Sequence, residues 1–354
     1  MPGTHRRHDK TVIAPAWAGA NIARSVVQGV VKSMVNEVRL PTEAEVRQAR
    51  ANIAGVARRT PLWRLDVEIP GTTIYLKLEN LQPLGSFKIR AALNALKSKD
   101  PASLRRGVMA PSAGNFGQGL AWAARQLGLP VTIVAPETAA KTKIAALEAL
   151  GAKVIRIPFA DWWEVLTTRR FAGEDGVFFH PVADSDVIAG NATIADEILE
   201  DLAEPTTIIA PVGGGGLIAG IGSVMRRKRP GTKILAVESE MAQPVAAAFG
   251  AAKPVAVTYM PSFVDGMGSS VVLDEMWPLF RDTVDAPVCV SLDEIKAAIR
   301  LLAAKHHVIA EGAGAAAVAA AFSGRAGTGA IVCIVSGGNI DAAVLGGILN
   351  EGIS

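Results

Sequence analysis

The chain has 354 residues, half of them hydrophobic and 19% charged, which allows a large core and excludes wholesale disorder. The formal net charge is only +3, and no Lys/Arg cluster is interleaved with aromatics, so nucleic acid is not an expected partner. Cys289 and Cys333 give neither a disulfide framework nor a metal-ligand spacing, and no apolar run is long enough to span a bilayer; a reducing cytoplasm without a membrane partner is expected.

Residues 1–40 differ from the rest. His5-Arg6-Arg7-His8-Asp9-Lys10 is polar, 11–20 lacks a period, and 22–38 carries the pattern of an amphipathic helix. The apolar part is poor for a targeting peptide, and Met34 lies inside it, so the stretch reads as a flexible arm or an over-extended start.

From Pro41 the pattern is regular. Thr42-Glu43-Ala44-Glu45 opens a helix that runs toward Val56. Ile74, Leu76 and Leu78 then alternate with Tyr75, Lys77 and Glu79, which predicts a strand. Gln82-Pro83-Leu84-Gly85 breaks it, because proline removes a donor and glycine permits a turn. Ser86 is the expected N-cap of a helix over 87–97, which puts Lys88 in the first turn. A charged lysine there is disfavoured by roughly 0.3–1 kcal/mol by the helix dipole. A nitrogen bonded to another group would escape that penalty.

Strands at 107–110, 131–135 and 153–157 alternate with helices at 119–127 and 141–150. The alternation resumes with a strand at 207–211 and a helix at 217–226 that ends on the basic run Arg226-Arg227-Lys228-Arg229. A strand at 233–238, a helix opened by the capping box of Ser291 and Glu294, and a last strand at 330–335 follow. Short apolar strands between helices predict an α/β fold with mainly parallel sheets.

Glycine-rich loops leave three of these strands. Ser112-Ala113-Gly114-Asn115-Phe116-Gly117-Gln118-Gly119 joins a strand to a helix, where free backbone N–H groups attract an anion. Gly213-Gly214-Gly215-Gly216-Leu217 presents consecutive amides with no side chain in the way, a cradle for phosphate. Its glycine spacing is not the dinucleotide fingerprint, and no Gly-Lys-Ser/Thr makes it a P-loop. Ser336-Gly337-Gly338-Asn339 ends the last strand, and Glu311-Gly312-Ala313-Gly314 reads equally as a helix start with an acidic first turn.

Gly85-Ser86-Phe87-Lys88-Ile89-Arg90 resembles the cofactor-lysine segment of the threonine/serine dehydratase family. These are serine racemase-like members of the fold type II (tryptophan synthase β-like) pyridoxal-phosphate enzymes. The other motifs stand in that family's order, over residues 41–354. The resemblance implies a large domain of 41–106 and 184–354, with a small domain of 107–183 inserted in it. It implies pyridoxal 5′-phosphate on Lys88, surrounded by Phe87, Asn115, Gly213, Gly214, Gly215, Gly216, Leu217, Glu311 and Ser336. The substrate carboxylate falls to Ser112, Ala113, Gly114, Asn115 and Phe116, and the family pattern implies a homodimer. The regulatory domain that follows in biosynthetic relatives is expected to be absent, since the likeness stops soon after Ser336.

The activity implied is β-elimination from a 3-hydroxy amino acid, L-threonine or L-serine by default, to a 2-oxo acid and ammonia. Lys88 takes the α-proton, and a neutral Ser336 facing the pyridine nitrogen leaves the ring a weaker electron sink, which suits loss of a β-substituent. Several residues depart from the pattern. Phe116 replaces a frequent histidine, Ala113 stands where racemising relatives carry serine, and Asn191 interrupts Gly190-Asn191-Ala192-Thr193. Glu238 matches the first ligand of a divalent-cation site, but Pro244 stands where the next acid belongs, so no metal is expected. Trp162 and Trp163 either pack a core or add to an aromatic pocket that favours phenylserine over 3-hydroxyaspartate. His180, His306 and His307 read as structural. A β-replacement enzyme would carry Ser-Val-Lys-Asp-Arg around its lysine, and a silent amino-acid sensor would not need that lysine.

Overall fold

Two sheets with helical cover are built from residues 37–351, the part of the chain described by the computed structural model. The expected helix over 22–38 falls outside the described residues except at its end, where Val38 is already buried in the core. α1 (Glu43–Ile53) starts on the reciprocal capping box of Thr42 and Glu45 and ends before Val56. It precedes the antiparallel pair β1 (Leu62–Arg64) and β2 (Thr72–Lys77). Two short 3-10 turns, Glu79–Leu81 and Pro83–Gly85, lead into α2 (Lys88–Lys97), and α3 (Pro101–Leu104) leads into β3 (Val108–Ala110). Then come α4 (Asn115–Gln126), β4 (Val131–Pro136), α5 (Lys141–Ala149), β5 (Lys153–Ile157), α6 (Phe159–Thr168) and β6 (Val177–Phe178). α7 (Ser185–Asp201), β7 (Thr207–Pro211), α8 (Gly216–Lys228), β8 (Lys233–Ser239) and α9 (Pro244–Ala251) continue the alternation. The described chain closes with α10 (Trp277–Thr283), β9 (Ala286–Val290), α11 (Leu292–His306), α12 (Gly312–Phe322), β10 (Gly329–Ile334) and α13 (Ala342–Asn350). Among the described residues no helix is long and apolar enough to cross a membrane.

The larger sheet runs β1-β2-β10-β7-β8-β9 and is parallel except for β1; the smaller runs β5-β4-β3-β6 and is parallel throughout. Side chains alternate across a strand, so β7 sends Ile208 and Ala210 to one core with Ile194, Ile218 and Ile221. Ile209 points the other way, into a core with Ile299 and Val318. The smaller sheet packs Val108, Ala110 and Ile133 against Leu120 of α4 and Ile89 and Leu93 of α2.

This order sets the C-terminal ends of β2, β10 and β7 side by side, the crevice where parallel α/β sheets bind ligands. The segments that leave those ends carry Lys88, Ser336 and the glycine run.

Two local expectations change. α4 starts at Asn115, not 119, because its glycines serve close approach rather than chain breaking. A Cβ on Gly117 would lie 1.8 Å from the Ser112 carbonyl oxygen, and one on Gly119 3.3 Å from that of Lys88. The N-cap of α2 is Phe87, not Ser86, although the Ser86 hydroxyl accepts the Lys88 N–H at 3.4 Å.

Candidate active site

The lysine segment is tied to the end of β10 by backbone. The Phe87 N–H donates to the Ser336 carbonyl at 3.1 Å, the Gly338 N–H to Gly85 at 2.9 Å, and Ser86 bridges Gly337. Leu84 and Gly85 both adopt positive φ (64° and 68°), the turn that reverses the chain into α2. Lys88 Nζ then lies 5.0 Å from the centroid of the Phe87 ring and 5.8 Å from that of Phe116. Its protein hydrogen bond goes to the Pro181 carbonyl at 3.3 Å. Burial pulls the ammonium down to about 8, against the attraction of Glu311. The free amine of Lys88 is therefore easier to reach near neutral pH than that of an ordinary lysine.

The segment of Pro181 links Lys88 to the glycine run. His180 fixes it: Nδ1 accepts the N–H groups of Val182 at 3.1 Å and Ala183 at 2.7 Å, so the imidazole is neutral with its proton on Nε2. Burial, with the Arg169 and Lys88 charges, pulls it down to about 3. Val182 in turn packs on the glycines. A Cβ on Gly214 would lie 2.6 Å from the Val182 methyls, one on Gly215 2.4 Å from the Phe280 ring, and one on Gly216 3.1 Å from the Val182 carbonyl. Gly213 has ordinary room, 3.6 Å from Met267. α8 begins on Gly215 at φ 95° with no side-chain cap, so its first N–H groups keep their donors available. A backbone cradle closed to side chains fits a phosphate, and with Lys88 across the Pro181 segment it fits pyridoxal phosphate.

On the other side, the loop after β3 meets the same centre. The Ser112 hydroxyl accepts the Gly117 N–H at 3.3 Å, Gly114 is the N-cap of α4, and Ala113 is part-exposed. Asn115 Nδ2 donates to Glu311 Oε1 at 3.0 Å, while its Oδ1 accepts from Asn339 Nδ2 at 2.9 Å; the same nitrogen reaches the Leu84 carbonyl at 2.8 Å. Asn115 Nδ2 has a second N–H to offer. Glu311 is buried, and burial with the nearby Asp265 charge pushes its carboxyl up to about 7. Phe116 is fully buried beside Lys88, and Leu217 is buried in the first turn of α8.

The remaining sequence candidates lie elsewhere. Glu238 accepts the N–H groups of Val245 at 2.6 Å and Ala246 at 2.9 Å, which caps α9 where Pro244 has no N–H to offer. Among the described residues no His/Cys/Asp/Glu group has a metal-binding arrangement. The Trp162 indole donates to the Val134 carbonyl of β4 at 3.2 Å and its ring meets those of Phe159 and Trp163, so Trp162 is accounted for by packing. Sequence reasoning missed a buried ion cluster on the far side of α2. Lys77 and Glu79, which the alternation makes a strand's other face, are both fully buried with Arg90, and Glu197 is nearly so. Arg90 beside Lys88 in the motif was the available signal.

Lysine, glycine cradle and strand-end serine at the carboxyl edge of a parallel sheet mark a cofactor enzyme. The chain belongs to the family described as pyridoxal-phosphate dependent enzyme, which matches residues 53–337, and pyridoxal phosphate is its cofactor. It is 39% identical over 318 residues to the L-threonine ammonia-lyase of Thermotoga maritima, covering 88% of this chain and 79% of that protein. It is 36% identical over 320 residues to the catabolic L-threonine dehydratase of Staphylococcus aureus, with 88% and 92% covered. The structure of maize serine racemase superposes with a TM-score of 0.78 at 31% identity, over 88% of this chain and 97% of that one.

Proposed function

We propose that this chain is an ammonia-lyase that dehydrates and deaminates a 3-hydroxy amino acid, L-threonine and L-serine first. The observation that carries this reading is the meeting of Lys88, Ser336 and the glycine run at the ends of three adjacent parallel strands. When bound, the cofactor supplies the electron sink for charge developing at the substrate Cα. Lys88 holds the cofactor and, as a free amine, takes the Cα proton; the Phe87 and Phe116 rings then stabilise its ammonium and exclude water. The start of α4, with Ser112 and residues 113–115, receives the substrate carboxylate. Ser336, buried just beyond the end of β10, would offer the pyridine nitrogen a neutral group and so leave the ring a weaker electron sink. The Cα proton taken up by Lys88 balances the one that the β-hydroxyl gains to leave as water, and hydrolysis consumes one water to release ammonia and the 2-oxo acid. The four strands of the smaller sheet support 107–183 as the small domain, and a second copy of the chain is the proposed partner.

Release of 2-oxo acid from a panel of amino acids tests this: threonine and serine should give product, and a panel without any product would refute it. Racemisation is the second reading, supported by the likeness to serine racemase. Ala113 has no proton to deliver to the opposite face, so D-serine formation from L-serine should be negligible beside pyruvate. Comparable rates of the two would overturn that assignment of Ala113.

A further inference from the structure

Asn191 sits mid-way along α7, with none of its surface exposed. Neither Nδ2 nor Oδ1 has a hydrogen-bond partner among the described residues. A buried amide with both ends unmet is rare in a folded chain, because it gives up water and gains nothing in return. Its neighbours decide what the side chain faces. Nδ2 lies 3.6 Å from where a Cβ would stand on Gly216, the first residue of α8, and its own Cβ is 3.1 Å from that position on Gly220. The amide is therefore turned to the opening of α8, which has no side-chain cap, and to the last glycine of the cradle.

The position also resists a plain packing role. The next polar side chain along α7 is satisfied: Thr193 donates to the Gly190 carbonyl at 2.7 Å and accepts from Arg90 at 3.2 Å. A methyl-bearing side chain would fill the space at Asn191 without orphaning any polar atom. A phosphate offers only acceptors here, and Nδ2 offers the donors that glycine amides cannot add from the side.

We propose that Asn191 is a cofactor-phosphate residue, its Nδ2 adding a side-chain donor to the backbone cradle of Gly213, Gly214, Gly215 and Gly216. This rests on the reading of that run as the phosphate site, and the test separates the two. Visible-absorbance titration of cofactor-free protein with pyridoxal phosphate and with pyridoxal, which lacks the phosphate, gives an affinity ratio for each variant. Asn191→Leu should lower that ratio roughly tenfold or more, with pyridoxal binding retained. Asn191→Asp, which keeps the shape and sets a carboxylate toward the phosphate, should lower it further and serves if the leucine variant does not fold. Gly214→Asp is the reference. If it lowers the ratio and the Asn191 variants do not, the Asn191 assignment is overturned and the cradle stands. If none of the three lowers it, cradle and Asn191 assignment fall together.

Discussion

The first turns of α2 separate two buried polar regions that treat their hydrogen bonds in opposite ways. On one side Arg90 donates to Glu79, Glu197, Thr193 and the Arg58 carbonyl at 2.6–3.2 Å. Lys77 reaches Glu197 at 2.6 Å and the Thr60 carbonyl at 2.7 Å, and Thr60 donates to Glu79 at 2.6 Å. Two cations and two carboxylates cancel, so the cluster can stay out of water, and each member is held by several bonds. Burial alone would raise the Glu79 carboxyl, but the Arg90 charge and hydrogen bonds bring it below its ordinary range. Two residues away, Lys88 has one carbonyl partner at 3.3 Å, and the glycine cradle and Asn191 have donors to spare. Saturated polarity fixes a framework; unsaturated polarity is left for a ligand.

That contrast can be broken from either side. Lys88→Ala should cost roughly 10⁴-fold in rate and remove the visible absorbance of lysine-bound cofactor. The cofactor-free variant should unfold no more easily than the parent at neutral pH. Desolvation holds the part-buried Lys88 ammonium down at about 8, below its ordinary value, so the charged form opposes folding at neutral pH. A large loss of cofactor-free stability would put Lys88 with the framework instead. Arg90→Leu should do the reverse, since it leaves Glu79 and Glu197 buried beside Lys77 alone. Denaturant unfolding of the cofactor-free protein should show a loss of about 3–5 kcal/mol. An unchanged midpoint would mean that the cluster is not the framework described.

A smaller effect sharpens the comparison. Glu311 titrates at about 7 in the folded chain, above its ordinary value, so its contribution favours folding at low pH and fades as pH rises through that point. Glu311→Gln should lessen the fall in stability of the cofactor-free protein between about pH 4.5 and about pH 7. The same fall in both proteins would exclude Glu311 as its source.

The sequence exposed what is local. Lys88 and its glycine turn, the glycine run before α8, and the capping boxes of Thr42 and Ser291 depend on neighbours within a few residues, so their spacing is readable. It hid what is assembled at a distance. Lys77 meets Glu197 from 120 residues away, and strand alternation says only that Lys77 and Leu76 face apart, not that both faces are covered. Asn191 appeared as a mismatch in a motif; only its unmet amide beside Gly216 gave it a chemical meaning. Glycine misled at α4, where Gly117 is required by a close carbonyl and not by a turn.

If the Lys88 side of α2 is the cofactor side, Lys88 is the lysine that carries the pyridoxal group. Borohydride reduction of the holoenzyme, followed by digestion and peptide mass mapping, tests it most directly. The phosphopyridoxyl group should be found on the peptide that contains Lys88, at about one per chain. Its recovery on Lys77, or on any other lysine with Lys88 unmodified, would move the cofactor away from Lys88.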